Sequence, residues 1–230
     1  DETELAMPVY LAGKLASDEL SQQLYEEFAL ATATLNEPAA MMDADEPWNS
    51  PQAAKYDNQN LADWIRSLKV SKLAKQLIAV QISSDNAIAN ERASLLAMLT
   101  AIKGGGLEKY WSDSEAYRCQ GGNQQLAFKL AEGIGADHIQ LKLAVQSITW
   151  NSTGATVKCV DGRTFECDDV VLALPPSTWS RIAFSPDLPA NLNMQNIQMG
   201  PATKYLTAVK SRFWLADKLS PYALTDGPIA

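Results

Sequence analysis

Histidine is nearly missing from this sequence: His138 is the single one, beside three cysteines, Cys119, Cys159 and Cys167, none of them in a C-x-x-C pair. Zinc and iron centres built from these ligand types need three or four of them at short spacings, so a Cys/His metal site is not expected. A Ser-His-Asp or Cys-His hydrolase would have to use His138, and no nucleophile motif lies near it, which disfavours that chemistry. Cys159 and Cys167 fall on consecutive expected strands and could approach each other, and they read as two half-buried thiols in a reducing, cytoplasmic compartment.

Positive charge is also short. Lys+Arg number 19 against 27 Asp+Glu, a net charge of −8, which leaves no surface suited to nucleic acid or anionic lipid. A negative surface suits cationic substrates, although in most acidic proteins it serves solubility. Missing too is any run of about 18 apolar residues, hence no membrane-spanning helix is expected, and no charged-then-apolar leader opens the chain. The G-x-G-x-x-G fingerprint of a complete dinucleotide-binding unit does not occur. The sequence opens at Asp1 without methionine and stops at Ala230 shortly after Gly227-Pro228, and it reads as an internal piece.

What is present suffices for a buried core, since 47% of residues are hydrophobic. Leu20, Leu24 and Phe28 recur four apart behind Ser17 or Asp18 as cap, the pattern of an amphipathic helix. Residues 41–60, rich in Pro, Asp and Asn, read as a loop, and LADWIRSL and SKLAKQLIAVQI restore helical spacing. A further helix, ERASLLAMLTAIK, stops at Gly104-Gly105-Gly106. Near Tyr117 the pattern changes. After RCQGG a helix is expected with Leu126, Leu130 and Ile134 on one face, followed by strands HIQLKL, AVQSITW, ATVKCV and RTFEC, the last two joined by a turn at Asp161-Gly162. DDVVLAL reads as a strand buried on both faces, and TKYLTAVKSRFW as a later strand. The order predicts an α+β fold with a crossing between parts near residue 117.

Four features suggest a site. Gly121-Gly122 precede a helix start, where free N–H groups and the helix dipole favour an anion or the close approach of a planar ligand, as well as a plain tight turn. VVLALPP carries a strand to its C-terminal end, the usual ligand position in α/β sheets, with small Ala173 there. Alternation places Lys204 on the strand face of Leu206 and Ala208, where a lysine either snorkels to solvent or is held for a purpose. Trp111, Trp179 and Trp214 line a pocket or belong to a core.

Taken in order, RCQGGNQQLAFKLAEGIG, HIQLKLAVQSITW, CDDVVLALPPSTWSRIAFSPDLP and MGPATKYLTAVKSRFW resemble the flavin-containing amine oxidase family of monoamine, polyamine and L-amino-acid oxidases. The upstream helices resemble that family's substrate domain. The resemblance implies a substrate-binding domain with helices and a mixed sheet plus part of the FAD-binding domain, an incomplete Rossmann-like flavoprotein fold. Residues 1–117 would be the helical part of the substrate domain, 118–180 a portion of the FAD-binding domain, and 181–230 the sheet part of the substrate domain. It implies that Val145 meets the adenine end of FAD through its backbone, and that Ala173, Leu174 and Pro175 lie at the strand end near the cofactor. Lys204 matches the lysine that reaches flavin N5 through a water, and Glu115 or Tyr117 falls near a substrate-lining position.

The implied chemistry is hydride transfer from the carbon beside a neutral amine to flavin N5, giving an imine, with oxygen as final acceptor and Lys204 supplying positive charge beside it. The partners implied are a small-molecule amine or amino acid and molecular oxygen, with activity in the longer parent chain. Alternatives within and beside the family remain. An L-amino-acid oxidase would require one of Arg66, Arg92, Arg118, Arg163, Arg181 or Arg212 for the substrate carboxylate. A desaturase or protoporphyrinogen oxidase type would share the fold, and a non-catalytic binding module would lack turnover altogether.

Overall fold

The computed structural model describes residues 5, 7–113, 117–189, 192 and 199–227. In chain order, strands β1 (Val9–Leu11) and β2 (Lys14–Leu15) precede helices α1 (Asp18–Ala33), α2 (Asn36–Ala40), α3 (Ala53–Asp57), α4 (Leu61–Ser67), α5 (Lys72–Asn86), α6 (Leu95–Gly104) and α7 (Glu108–Ser112). Then come α8 (Gln124–Ile134), strands β3 (Val145–Asn151), β4 (Gly154–Cys159), β5 (Thr164–Cys167), β6 (Ala183–Ser185), and finally β7 (Leu224–Thr225). Helices and mixed sheets occur together without a repeating β-α-β order, so the fold is α+β, and two compact units divide it: Asp1–Ala116 with Gly200–Ala230, and Tyr117–Met199.

Polar caps define the helices of the first unit. Ser17 Oγ accepts the Leu20 N–H at 3.3 Å, Asn60 Oδ1 the Asp63 N–H at 2.8 Å, Ser71 Oγ the Ala74 N–H at 3.1 Å, and Ser94 Oγ the Ala97 N–H at 3.4 Å. Ser94 as cap starts α6 at Leu95, later than the expected start at Glu91, and α3 with a 3-10 turn (Pro47–Asn49) interrupts the loop expected over 41–60. Helix α5 is buried on two sides: Ile78 and Ile82 join a cluster with Leu61, Leu99 and Ile102, while Ala74 and Leu77 join Val9, Leu11, Leu24 and Leu224. Strand β1 pairs antiparallel with β2 and parallel with β7, in register Val9↔Leu224, so the far end of the chain returns to its start. The Asp226 carboxylate fastens this return by accepting the Ala12 N–H and the Gln76 amide.

The second unit is a four-stranded sheet in the order β5-β4-β3-β6 with α8 before it in sequence. Strands β3 and β4 form a hairpin in register Ile148↔Val157, β4 and β5 turn back at Asp161-Gly162, and β6 joins β3 in parallel. Gly162, at φ +92°, supplies the left-handed geometry of that turn, and Arg163 Nε donates to Asp161 Oδ2 at 2.8 Å. Ile148, Ala155 and Cys159 are its buried apolar residues.

Three expected strands do not form. Residues 138–143 hold the end of a short 3-10 turn and then irregular chain, because Lys142 sits at φ +58°, which breaks extended backbone. Residues 169–173 and 201–209 are irregular as well, and the apolar side chains stand open: Val171 is 87% exposed and Leu206 88%. Alternating or apolar runs encode a preference for a sheet, but a strand exists only where a neighbour completes its hydrogen bonds, and no described residue of the same unit does so here.

Candidate functional site

The helical unit contains a cavity of about 400 Å³. Residues Gln81, Ile82, Asp85 and Asn86 recur one helical turn apart on α5, so its last turns present one face to this space. Phe28 comes from α1, Met98 from α6, and Tyr110 and Trp111 from α7. Trp111 meets Phe28 edge-to-face at 6.3 Å and Tyr110 at 4.9 Å, and its indole N–H donates to Asn36 Oδ1 at 3.3 Å, which fixes the ring. Gln81 Nε2 donates to both Asp85 oxygens at 3.0 Å. Burial raises the Tyr110 phenol pKa, and the negative charge of Asp85 raises it further.

Two glycines shape this region. A Cβ at Gly105 would approach Tyr110 Cδ2 to 2.7 Å, so the glycine triplet both stops α6 and leaves room for a cavity ring. A Cβ at Gly200 would run into the Ala87 carbonyl oxygen, so the segment leading to Lys204 lies against the end of α5, two residues beyond Asp85. Sequence reasoning singled out Trp111 but missed Phe28, Asp85 and Tyr110 as cavity residues. The α5 spacing of Gln81 and Asp85 was visible, but the convergence of four helices is not a property of any one segment.

The residues expected to face a flavin lie as follows. Val145 opens β3, half-buried, opposite Cys159, where the register shifts before Ser147. Ala173 and Pro175 are exposed and Leu174 half-buried. Trp179 Nε1 donates to the Leu174 carbonyl at 3.0 Å, and the Pro175 carbonyl accepts from Thr178 through N–H at 2.9 Å and Oγ1 at 2.7 Å, so a local turn holds this stretch. Lys204 is exposed on irregular chain in the other unit, so it does not share a strand face with Leu206 and Ala208. Tyr117 is 94% exposed, and Glu115 lies outside the described residues.

Gly121 and Gly122, at φ +82° and +91°, make a left-handed turn before α8, and nothing lies within 4 Å of a Cβ at Gly122. A separate apolar cavity of about 230 Å³ in this unit is bounded by Ile148, Trp150, Ala155 and Phe184 from the sheet and by Val170 and Leu172. Neither Val145 nor the 173–175 stretch lines it. Cys119, Cys159 and Cys167 are free thiols, with Cys159 and Cys167 at opposite ends of the β4–β5 hairpin. Among the described residues no helix is long and apolar enough to cross a membrane.

Comparison with known proteins gives this geometry a family. A probable flavin-containing monoamine oxidase A of Dictyostelium discoideum is 28% identical over 228 residues, covering 96% of this chain and 50% of that protein. The putrescine oxidase of Kocuria rosea is 27% identical over 210 residues, 84% of this chain and 44% of its own length. A solved redesigned triple mutant of putrescine oxidase superposes with a TM-score of 0.69 at 25% identity, over 83% of this chain and 45% of that one. The chain thus spans half or less of the length of these relatives. The family described as flavin containing amine oxidoreductase matches residues 7–230, and the chain belongs to that family.

Proposed function

We propose that the protein carrying this chain oxidises an amine to an imine with FAD as cofactor and molecular oxygen as acceptor. The observation that carries this reading is the aromatic-walled cavity of the helical unit, with Asp85 on its wall, in a chain of a flavin-dependent family. FAD, when bound, supplies the hydride acceptor, and the protein's part is to orient and desolvate the amine. Phe28, Tyr110 and Trp111 exclude water from the cavity and offer rings to a cationic or aryl-bearing amine.

Several features fit one side of a flavin site. The turn at Gly121-Gly122 is open to close approach, Ala173 is small and exposed, and Val145 opens a strand at a register shift that breaks the regular ladder. We assign Val145, Ala173, Leu174 and Pro175 to holding the cofactor, with residues 118–180 contributing to the FAD-binding domain and 1–117 and 181–230 to the substrate domain. The Lys204 ammonium is assigned to the oxygen-reacting side, where its charge stabilises developing negative charge. Glu115 and Tyr117 are assigned to the substrate side. Among the described residues no arginine lines the cavity and a carboxylate does, the opposite of what an amino acid's carboxylate needs, so an amine is favoured over an L-amino acid.

The test uses the full-length, FAD-loaded protein. Tyramine, putrescine and a panel of L-amino acids are mixed with it anaerobically, and an amine is expected to bleach the flavin band; a flavin that stays oxidised with every amine rejects the reading. Lys204→Met is expected to slow reoxidation of the reduced flavin by more than about tenfold, far more than it changes substrate binding. Equal reoxidation rates would remove Lys204 from the assignment.

A further inference from the structure

Among the described residues Met98 is the one methionine that lines the helical-unit cavity. It sits on α6 in the buried cluster of Leu95, Leu99 and Ile102 and is only 5% exposed, so its sulfur is shielded on the core side and meets small molecules from the cavity. Asn86, the last residue of α5, lines the same space, and its side-chain amide donates to Met98 Sδ at 3.9 Å. A thioether is a weak acceptor, and it is also a group that takes up oxygen.

Amine oxidation with oxygen as acceptor turns oxygen into hydrogen peroxide, and the inference rests on the proposal that this reaction is served by this cavity. We propose that Met98 is a modification site: peroxide made by turnover converts it to the sulfoxide, and the altered wall weakens amine binding. The Met98 sulfur attacks one peroxide oxygen, so an S–O bond forms as the O–O bond breaks. The departing hydroxide takes the proton from the transferred oxygen and leaves as water, and the sulfur loses the electron pair that the peroxide gains. The side chain that results is polar where a soft, apolar sulfur stood among the rings of Phe28, Tyr110 and Trp111. The Asn86 amide, already directed at the sulfur, is at hand to donate to the added oxygen, so the sulfoxide is not left as an unpaired acceptor in a buried place. The protein thereby loses affinity for its amine in proportion to the peroxide it has made.

The experiment lets the full-length, FAD-loaded protein turn over tyramine or putrescine with catalase in the bulk solution, while peptide mass spectrometry follows oxygen added to Met98 and to the exposed Met41 and Met199. Met98 is expected to be oxidised at least about fivefold ahead of the other two, because catalase removes peroxide from bulk water but not from the cavity. Peroxide added to resting protein without amine and catalase is expected to reverse the order. As Met98 is converted, KM for the amine is expected to rise at least about threefold with kcat changed less, and M98L, measured against its own starting value, to hold its KM through the same number of turnovers. A Met98 that stays reduced, the same order of oxidation in both arms, a KM unmoved by conversion, or an equal rise in M98L overturns the proposal while amine oxidation stands. A flavin that no amine reduces removes the amine-oxidase reading and this inference together.

Discussion

The two units bury their apolar residues to different extents. In the helical unit, α5 is wrapped on two sides and Leu61, Leu77, Ile78, Ile82, Leu99 and Ile102 are shut off from solvent. Among the described residues of the sheet unit only Ile148, Ala155 and Cys159 are buried, while Leu126, Phe128, Leu130 and Ile134 leave a whole apolar face of α8 uncovered. The amphipathic pattern of α8 is more pronounced than those of α1, α5 and α6. The difference therefore lies in partners: helices α1 to α7 find one another within the unit, whereas α8 and Val171 carry apolar surface that the described residues of their own unit leave largely open. The segment 201–209 shows that the contrast is not total, since its Tyr205 and Leu206 are open although they belong to the helical unit.

The largest expected effect tests this contrast directly. Leu99→Ala, at a site with no solvent exposure, should cost about 2–5 kcal/mol in urea unfolding of the full-length protein, and Leu130→Ala, 60% exposed here, well under about 1 kcal/mol. Equal losses would mean that the α8 face is buried in the whole protein and that the contrast belongs to this chain alone. Next in size is Gly200→Ala, which sets a methyl against the Ala87 carbonyl. A loss of about 1–3 kcal/mol is expected, together with a change in the fluorescence of the neighbouring Trp111 cavity; an unchanged midpoint would place the segment away from α5.

The smallest effect concerns the tie between α1 and α5. Glu27 Oε2 accepts the Ser71 N–H at 2.6 Å, and this bond above all holds the Glu27 carboxyl below its ordinary pKa. Its folded-state pKa is thus lower than the unfolded one, so the stability it lends is present above the unfolded carboxylate range and disappears as pH falls through the folded value. Glu27→Gln should lower the unfolding midpoint slightly at pH 7, by less than about 1 kcal/mol because the carboxylate is in contact with water, and the two curves should merge in acid. A difference that persists or grows in acid would show that the charge is not the source.

Helices were legible in the sequence wherever a cap and a periodic apolar face coincided, as at Ser17 with Leu20, Leu24 and Phe28, because both signals act within one turn. The β3–β4–β5 meander was legible for the same reason: Asp161-Gly162 fixes its turn locally. HIQLKL, DDVVLAL and TKYLTAVKSRFW were read as strands from composition, yet strand formation is decided by a neighbour, which composition does not contain. Of the site, the ordered motifs pointed to the family, and Trp111 was flagged. Asp85 and Tyr110 were not, since each alone is an ordinary helical polar or aromatic residue.

The sequence by itself determined the family, through an ordered series of motifs, and the positions of capped helices and tight turns, through interactions a few residues long. Only the tertiary structure decided that Asp85, Phe28, Tyr110 and Trp111 enclose one cavity, and that Gly105 and Gly200 must lack a side chain. Those outcomes depend on distances between segments tens of residues apart, where packing of buried helices, and not local propensity, sets which side chains meet.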